Sequence, residues 1–391
     1  MNSFMSGPDL SSNLRGNLCG ELCADLFVVG GGPAGLATAI LGAQAGMRVV
    51  VADHNRPPID KACGEGLMPD TLAAVEKLGV KLNCGEAVRF LGIRFNDGDG
   101  KTCAAATFAN GFGLGLCRTE LHSRLVQRAA DVGVELMWGA RVTLEREGGL
   151  SCDGRQVRCR YVIGADGEGS PVRRWAALEE SRYERSRFGI RQHFGMEPWS
   201  DFVEVYWARG CQIVAAPIAH DGVCVAVTSR NPLLKFHDAV GQVPELACRL
   251  SGASATNKVR GARASLRRLR RVYRGAVALV GDASGSVDPL TGEGIGLGLR
   301  QAAALVEAIK RSDLQSYQAA HERIGRMAHL TSRLMLLMDT HPRLRRRALR
   351  TFAAEPSLFA RMLNAQVGEL ALSECGLDLP VRLGWRLIFS W

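Results

Sequence analysis

The sequence predicts an α/β protein: a parallel sheet flanked by helices, a second unit built on an antiparallel β-sheet, and a helical C-terminal region. Three observations carry this. A glycine-rich turn joins an apolar run to a helical stretch near the N-terminus, the stretch from about Ser181 to Arg271 changes to short or alternating apolar runs, and from Asp313 onward the pattern is mostly helical. The length agrees, since 391 residues exceed the roughly 250–300 at which a single core stops growing.

The elements follow in order. DLFVVG (Asp25 to Gly30) is a short apolar run with β-branched residues and reads as a buried strand. GGPAG comes next, then a helix over Leu36 to Ala45 and a second strand, RVVVAD (Arg48 to Asp53), making a βαβ unit with parallel strands. TELHSRLVQRAADVG (Thr119 to Gly133) sets Leu121, Leu125, Val126 and Ala129 at the spacing of a helix with one buried face. VELMW, a hairpin around Asp153 and Gly154, and the strand RYVIGADG (Arg160 to Gly167) extend the first sheet from distant sequence. FGIRQHF, FVEVYW, CQIVAAPI and GVCVAVTS read as antiparallel strands of the second sheet, a layer suited to forming a substrate wall. AVALVG (Ala276 to Gly281) and a helix over Ile295 to Ile309 return to the first texture. A helical stretch rich in charge and methionine (Met327, Met335, Met338, Met362) follows. The expected division is a discontinuous nucleotide-binding domain (24–85, 105–180 and 272–312), a sheet domain (86–104 and 181–271) and a C-terminal helical region (313–391).

Hydrophobic residues at 47% and charged residues at 23% are the balance of a soluble globular chain. The net charge of +10 gathers in RRLRRVYR (Arg267 to Arg274) and RLRRRALR (Arg343 to Arg350). Aromatics are only 6% and do not interleave with these clusters as a base-stacking platform requires, so nucleic-acid binding is not expected. A solvated basic face is the simplest reading; contact with an anionic membrane surface or an acidic carrier protein is the other. The twelve cysteines form no CxxC pair, and the segment before Asp25 contains Asp9, Arg15 and Glu21 instead of an apolar signal core. A cytoplasmic protein, monomeric or homodimeric and in contact with a membrane at most peripherally, is therefore expected. From Leu26 to Met47 no charge occurs, a length that could span a bilayer. Its six glycines and Pro33 identify it as strand, turn and helix.

In GxGxxG, here Gly30, Gly32 and Gly35, the glycines permit a tight turn, close backbone approach to a pyrophosphate and helix–strand packing, and the helix N-terminus offers free N–H groups to phosphate. The string alone is weak. A preceding strand, a following helix and Asp53 at the end of the next strand make it a dinucleotide site, with the Asp53 carboxylate accepting from ribose hydroxyls.

Two later motifs complete the pattern: GADGEGSPVRR (Gly164 to Arg174) and LVGDASGSVDPLTGEGIGLGLR (Leu279 to Arg300). With the first fingerprint they resemble the flavoprotein superfamily of para-hydroxybenzoate hydroxylase and geranylgeranyl reductase, over the chain to about residue 310. The resemblance implies a Rossmann-like FAD-binding domain of the glutathione-reductase-2 type, with FAD as cofactor and NAD(P)H as a transient reductant. It places FAD on Gly30, Gly32, Pro33, Ala34, Gly35 and Asp53, on the Asp166–Gly167 pair, and on Gly281 and Asp282 at the ribityl or pyrophosphate portion. It further implies that Pro289, Gly292, Glu293, Gly294 and Ile295 flank the isoalloxazine and that Arg118 contacts the flavin. A helix starting near Gly294 aims its positive end at the flavin N1–C2=O edge, which favours the anionic reduced ring. Arg173 and Arg174 suit either phosphate contact or surface pairing.

KACGEGLMP (Lys61 to Pro69) is similar to the cysteine-glycine motif of the geranylgeranyl reductases, with Cys63, Gly64 and Gly66 at matching places and Glu65 where a small residue is usual. Cys63 is the candidate catalytic residue, against the reading of a buried small hydrophobe. No metal is expected. The substrate-strand signature of such reductases and halogenases, an aromatic pair followed by a proline, is missing, since CQIVAAPI has Pro217 but no aromatic partner, which disfavours halogenation. The texture of CGEGLMP and FVEVYW is similar to bacterial FAD-dependent monooxygenases, so NAD(P)H-driven oxygenation of a small hydrophobic polyketide, aromatic or isoprenoid substrate in secondary metabolism stands slightly ahead. Reduction of a carbon–carbon double bond is the alternative, and a flavin-binding scaffold or sensor the non-enzymatic one. Substrate-wall candidates are Arg191, His193, Tyr206 and Pro217, with Trp207 beside them; period two puts Arg191 and His193 on one face and Phe194 on the other. The terminal RLGWRLIFSW reads as an ordinary helix, a chamber cap or a membrane-interface segment.

Overall fold

The computed structural model of the chain describes residues 20–82, 87–98, 100–145 and 149–368. Asp9 and Arg15 of the leading segment and the terminal RLGWRLIFSW lie outside these residues. The βαβ unit comprises β1 (Leu22–Val29), α1 (Pro33–Gln44) and β2 (Val49–Asp53). β1 and β2 pair in parallel from Leu26 opposite Val49 to Val29 opposite Ala52. Every residue of β2 is buried, as expected of a strand covered on both faces. α1 starts on Pro33, where a missing N–H is harmless.

β3 (Gly66–Leu67), α2 (Pro69–Lys77), β4 (Val88–Phe90), β5 (Gly92–Asp97), β6 (Cys103–Thr107) and β7 (Gly113–Gly115) follow, and β3, β7 and β4 make a small sheet. Next come α3 (Arg118–Asp131), β8 (Glu135–Trp138), β9 (Val142–Leu144), β10 (Leu150–Cys152), β11 (Arg155–Gly164) and α4 (Pro171–Trp175). The β10–β11 hairpin turns on Asp153 (φ 49°) and Gly154 (φ 76°), the paired positive φ angles of a two-residue turn that matches strand twist.

β12 (Ser181–Gly195), β13 (Phe202–Ala208), β14 (Cys211–Ala219), β15 (Gly222–Ser229), α5 (Phe236–Val240), α6 (Pro244–Leu250), β16 (Ser254–Ala255) and β17 (Arg260–Leu269) form the antiparallel stretch. β18 (Tyr273–Arg274), β19 (Val277–Leu279), β20 (Gly285–Ser286), α7 (Gly294–Lys310), α8 (Leu314–Thr340), α9 (Pro342–Ala354) and α10 (Pro356–Gln366) complete the described chain. The first sheet runs β18-β19-β11-β1-β2-β8, and β19, β11, β1, β2 and β8 are mutually parallel. The second runs β20-β17-β12-β15-β14-β13-β5-β6, with β5 entering parallel to β13.

Alternation along β13 assigns the two faces of the second sheet. Val203, Val205 and Trp207 join the core beneath the C-terminal helices, whereas Tyr206 and Ala208 join a separate core under α5 and α6. Phe352 of α9 and Phe359 of α10 stack at 4.9 Å, and Phe359 meets Phe95 of β5 at 4.8 Å. Burial of such a ring is worth about 1.5–3 kcal/mol, so these two side chains fasten the C-terminal helices over the sheet. No described helix is long and apolar enough to cross a membrane.

Candidate functional site

One cavity of about 880 Å³ runs from the glycine turn after β1 to the space between the second sheet and the C-terminal helices. At the turn, Gly30 has φ 110°, and a Cβ there would lie 2.4 Å from the Ala165 carbonyl oxygen. Only glycine lets β1 and β11 close on each other so tightly. Gly35 is tighter still, its Cβ position falling 1.9 Å from the Gly30 carbonyl oxygen. Gly32, Gly64, Gly167 and Gly294 behave oppositely: each lines the cavity, and a Cβ on any of them would meet nothing within 4 Å. Four glycines from four separate segments thus keep a smooth trough open, a cradle that side chains would fill.

Pro33 and Ala34 line the trough at the start of α1, whose first turn has no side-chain cap and leaves its N–H groups for an anion. Asp53 also faces it. Its Oδ2 accepts from Gly31 N at 2.7 Å and its Oδ1 from Asn55 N at 2.7 Å, which fixes the carboxylate at the end of β2. Asp166 caps α4 by accepting from Val172 N at 3.0 Å and from Ser170 Oγ, and burial raises its carboxyl above the usual range. Gly281, Asp282, Pro289, Gly292, Gly294 and Ile295 close the far wall. Asp282 pairs with Lys61 Nζ at 2.9 Å. Its surroundings push the carboxyl up, but Lys61 and Arg118 outweigh this and hold it below the ordinary value. The residues present fit FAD: uncapped N-termini at α1 and α7, a fixed carboxylate at Asp53, and glycines that leave the backbone open to a ligand.

The loop between β2 and β3 joins this cradle to the second sheet. Lys61 reaches Asp282, the Cys63 carbonyl receives Cys224 Sγ of β15 at 3.6 Å, and Asp60 pairs with Arg191 of β12 and with Arg260 of β17 at 3.3 Å. Cys63 and Gly64 line the cavity, and Cys63 Sγ accepts from Glu65 N at 3.4 Å. Glu65 stands at φ 59° with only 2% of its surface exposed. Its carboxylate accepts from Arg118 N at 3.2 Å and contacts His193 Nε2 at 2.6 Å and Arg191 Nη2 at 3.4 Å. The larger residue in the cysteine-glycine motif therefore ties α3, β12 and the loop into one buried knot, and Arg118 itself lines the cavity. Ligand-type atoms of Glu65, Cys117 and His193 lie within 4.8 Å of one another. The adjacent Arg191 cation and a Cys117 thiol pushed up to about 11 by burial mark an ion-pair cluster.

Of the substrate-wall candidates, Arg191 lines the cavity, and His193 stands behind it on the same face, with Phe194 in the opposite core as period two requires. Tyr206 and Pro217 do not line it. Tyr206 belongs to the α5–α6 face, where its hydroxyl donates to Glu204 Oε2 at 2.6 Å. Pro217 is buried with its carbonyl packed at Gly115 of β7. The chamber wall is formed by Val203, Val205, Val214 and Ala226, and its roof by Met335 and Phe359. Two motif residues also differ from expectation. Glu293 faces away from the cavity toward Arg300 at 3.8 Å, and burial pushes its carboxyl up to about 8. Arg173 is 2% exposed and donates to the Ala283 and Glu168 carbonyls, fastening the motif backbones together. Arg174 donates to the Gly169 carbonyl at 2.7 Å on the surface.

Comparison with known proteins agrees with this geometry. Residues 24–312 match the FAD binding domain family. The chain is 30% identical over 352 residues to a menaquinone reductase of Mycobacterium tuberculosis, covering 82% of this chain and 85% of that protein. It is 28% identical over 366 residues to a 6-methylpretetramide 4-monooxygenase of Streptomyces rimosus, covering 80% and 84%. Among solved structures, a flavoprotein/dehydrogenase from Cytophaga hutchinsonii superposes with a TM-score of 0.77 at 17% identity, covering 94% of this chain and all of that one. With its glycine cradle, its fixed Asp53 and a family match over most of its length, the chain belongs to the FAD binding domain family of flavoprotein oxidoreductases.

Proposed function

We propose that the protein reduces a carbon–carbon double bond in a lipophilic, isoprenoid-type substrate, with NAD(P)H as the source of electrons. The observation that carries this reading is the chamber: an apolar space walled by Val203, Val205, Val214 and Ala226 and roofed by Met335 and Phe359, continuous with the FAD cradle and lined by the half-buried Cys63 where the two join. Bound FAD supplies the two-electron chemistry. The chain's own residues do the rest. The valines and the roof hold an apolar chain and exclude water, while Arg118 and Lys61 add positive charge near the ring. Reducing an alkene also requires a proton on the second carbon, a role we assign to the Cys63 thiol because Cys63 lines the cavity. The menaquinone reductase relatives support this direction.

Oxygenation is the second reading, favoured by the likeness to 6-methylpretetramide 4-monooxygenase over four-fifths of the chain. Both reactions use the same cradle and chamber and part only at oxygen. The test is to reduce the purified protein anaerobically and add a polyprenyl quinone. Reoxidation of the flavin without oxygen, with a product that keeps two added hydrogens on its prenyl chain after air has returned the ring to the quinone, supports the reductase. Reoxidation only on admitting oxygen, with an oxygenated product, moves the assignment to the second reading. Cys63→Ser is expected to slow the anaerobic step by about 10²–10⁴-fold, the usual contribution of a positioned proton donor, while retaining FAD.

A further inference from the structure

We propose that the outward faces of α8 and α9 seat the protein on an anionic phospholipid bilayer. From Arg323 to Ala354 the sequence contains one acidic residue, Asp339, and it is buried against Arg187 and Arg230. On α8 the exposed positions Arg323, Arg326, Leu330, Leu337 and Thr340 fall within an arc of about 100° at 3.6 residues per turn. On α9, Arg343, Arg346 and Arg350 share one exposed side, while Ala348, Leu349 and Phe352 are buried beneath them. Leu330 is 59% exposed and Leu337 45%, whereas few other large apolar side chains among the described residues reach solvent.

Charge and apolar exposure on one arc choose the occupant. Arginines alone would suit any anion, and an acidic carrier protein would satisfy them. Two leucines one heptad apart among those arginines need an apolar partner at the same depth, and a bilayer offers phosphate and acyl chain together. The location suits such a seat, because the other side of α8 carries Thr331 and Met335 into the chamber. The helix that touches the lipid surface is thus a wall of the apolar space. The inference concerns docking alone and stands whichever reaction the site performs.

The holoprotein is sedimented with vesicles of phosphatidylcholine, with or without phosphatidylglycerol, at low and raised salt. Binding to the anionic vesicles that weakens with salt is expected. Replacing Arg323, Arg326, Arg343 and Arg346 by glutamine should weaken it by about fivefold per arginine. Leu330→Ser with Leu337→Ser should reduce it about tenfold, the effect of losing two partly inserted leucines, and Leu233→Ser, at an 83% exposed site elsewhere, should leave it unchanged. FAD content and melting temperature report that each variant is folded. Equal binding to neutral vesicles, indifference to both sets of variants, or capture by an acidic carrier protein with no vesicle binding each overturns the proposal.

Discussion

Replacing Asp339 by alanine tests whether the C-terminal helices are held to the second sheet by charge as well as by aromatic packing. Asp339 sits on α8 and is buried; it pairs with Arg187 Nη1 at 3.2 Å and Arg230 Nε at 3.0 Å and accepts from Gln212 Nε2 at 2.6 Å. Arg187 is fully buried and also pairs with Asp288 at 3.3 Å, in the segment that closes the cradle. Removing one member of a buried ion pair costs about 3–5 kcal/mol. Here the lower end applies, because Arg187 keeps Asp288 and Arg230, half exposed, turns to water. At an unfolding entropy of about 2.1 cal/mol/K per residue, about 3 kcal/mol spread over 391 residues lowers Tm by about 4 °C. Asp339→Asn keeps an acceptor for Gln212 and should fall between. The assay is thermal unfolding of the FAD-saturated protein, with free FAD released on dilution measured in parallel, since loosening Arg187 disturbs Asp288. Melting of both variants within 1 °C of the wild type, with unchanged FAD retention, would refute the reasoning.

Gly30→Ala drives a Cβ to 2.4 Å from the Ala165 carbonyl oxygen at a φ of 110°, so the purified variant should lack the flavin absorbance near 450 nm or lose it on gel filtration; full retention would contradict the cradle. Burial pushes His321 down to about 3 and His329 down to about 4. Between these values and the unfolded value near 6.5 the unfolded chain binds the extra protons, so stability is lost as pH falls through that window, by at most about 1.4 kcal/mol per pH unit for each histidine. His321→Gln should flatten the acid limb of a denaturation profile. Glu293 works in the opposite sense. Its carboxyl, pushed up to about 8 by burial, binds a proton in the folded state that the unfolded chain gives up near 4.5, so stability falls as pH rises across that interval. Glu293→Gln should be the more stable protein at pH 9, and equal alkaline limbs for both proteins would count against it.

The cradle was readable because its requirements are local. A glycine that must meet a carbonyl, an uncapped helix start on Pro33 and a carboxylate at the end of β2 each leave a mark within a few residues, and Gly30, Gly32, Asp53, Asp282 and Gly294 surround one space, with Gly35 packed behind the turn. The chamber was not readable in the same way. Period two correctly paired Arg191 with His193, yet it could not say which face of β13 the helices would cover, and Tyr206 turned out to lie under α5 and α6. β5 enters parallel to β13 from a segment far upstream, a pairing that no local pattern announces. Glu65 was visible only as an unusual residue in its motif. Its partners Arg191, His193 and Arg118 come from two other elements, so the knot exists only once the chain has folded. Met335 and Met362 stand in a methionine-rich helical stretch, and nothing in that pattern signals that α8 and α10 roof the cavity.

Every glycine that keeps the cradle open lies at or before Gly294, whereas the helical roof over the chamber comes from Thr331, Met335, Phe359 and Met362. The roof of the chamber, unlike its wall on β12 to β15, is therefore encoded on a stretch of the gene downstream of the whole cradle. A chimera that exchanges residues from α8 onward with those of a relative should keep its yellow colour while changing the length and branching of the chains it accepts. A lineage can accordingly reshape the roof of the chamber by altering its last helices, with the cradle upstream left as it was.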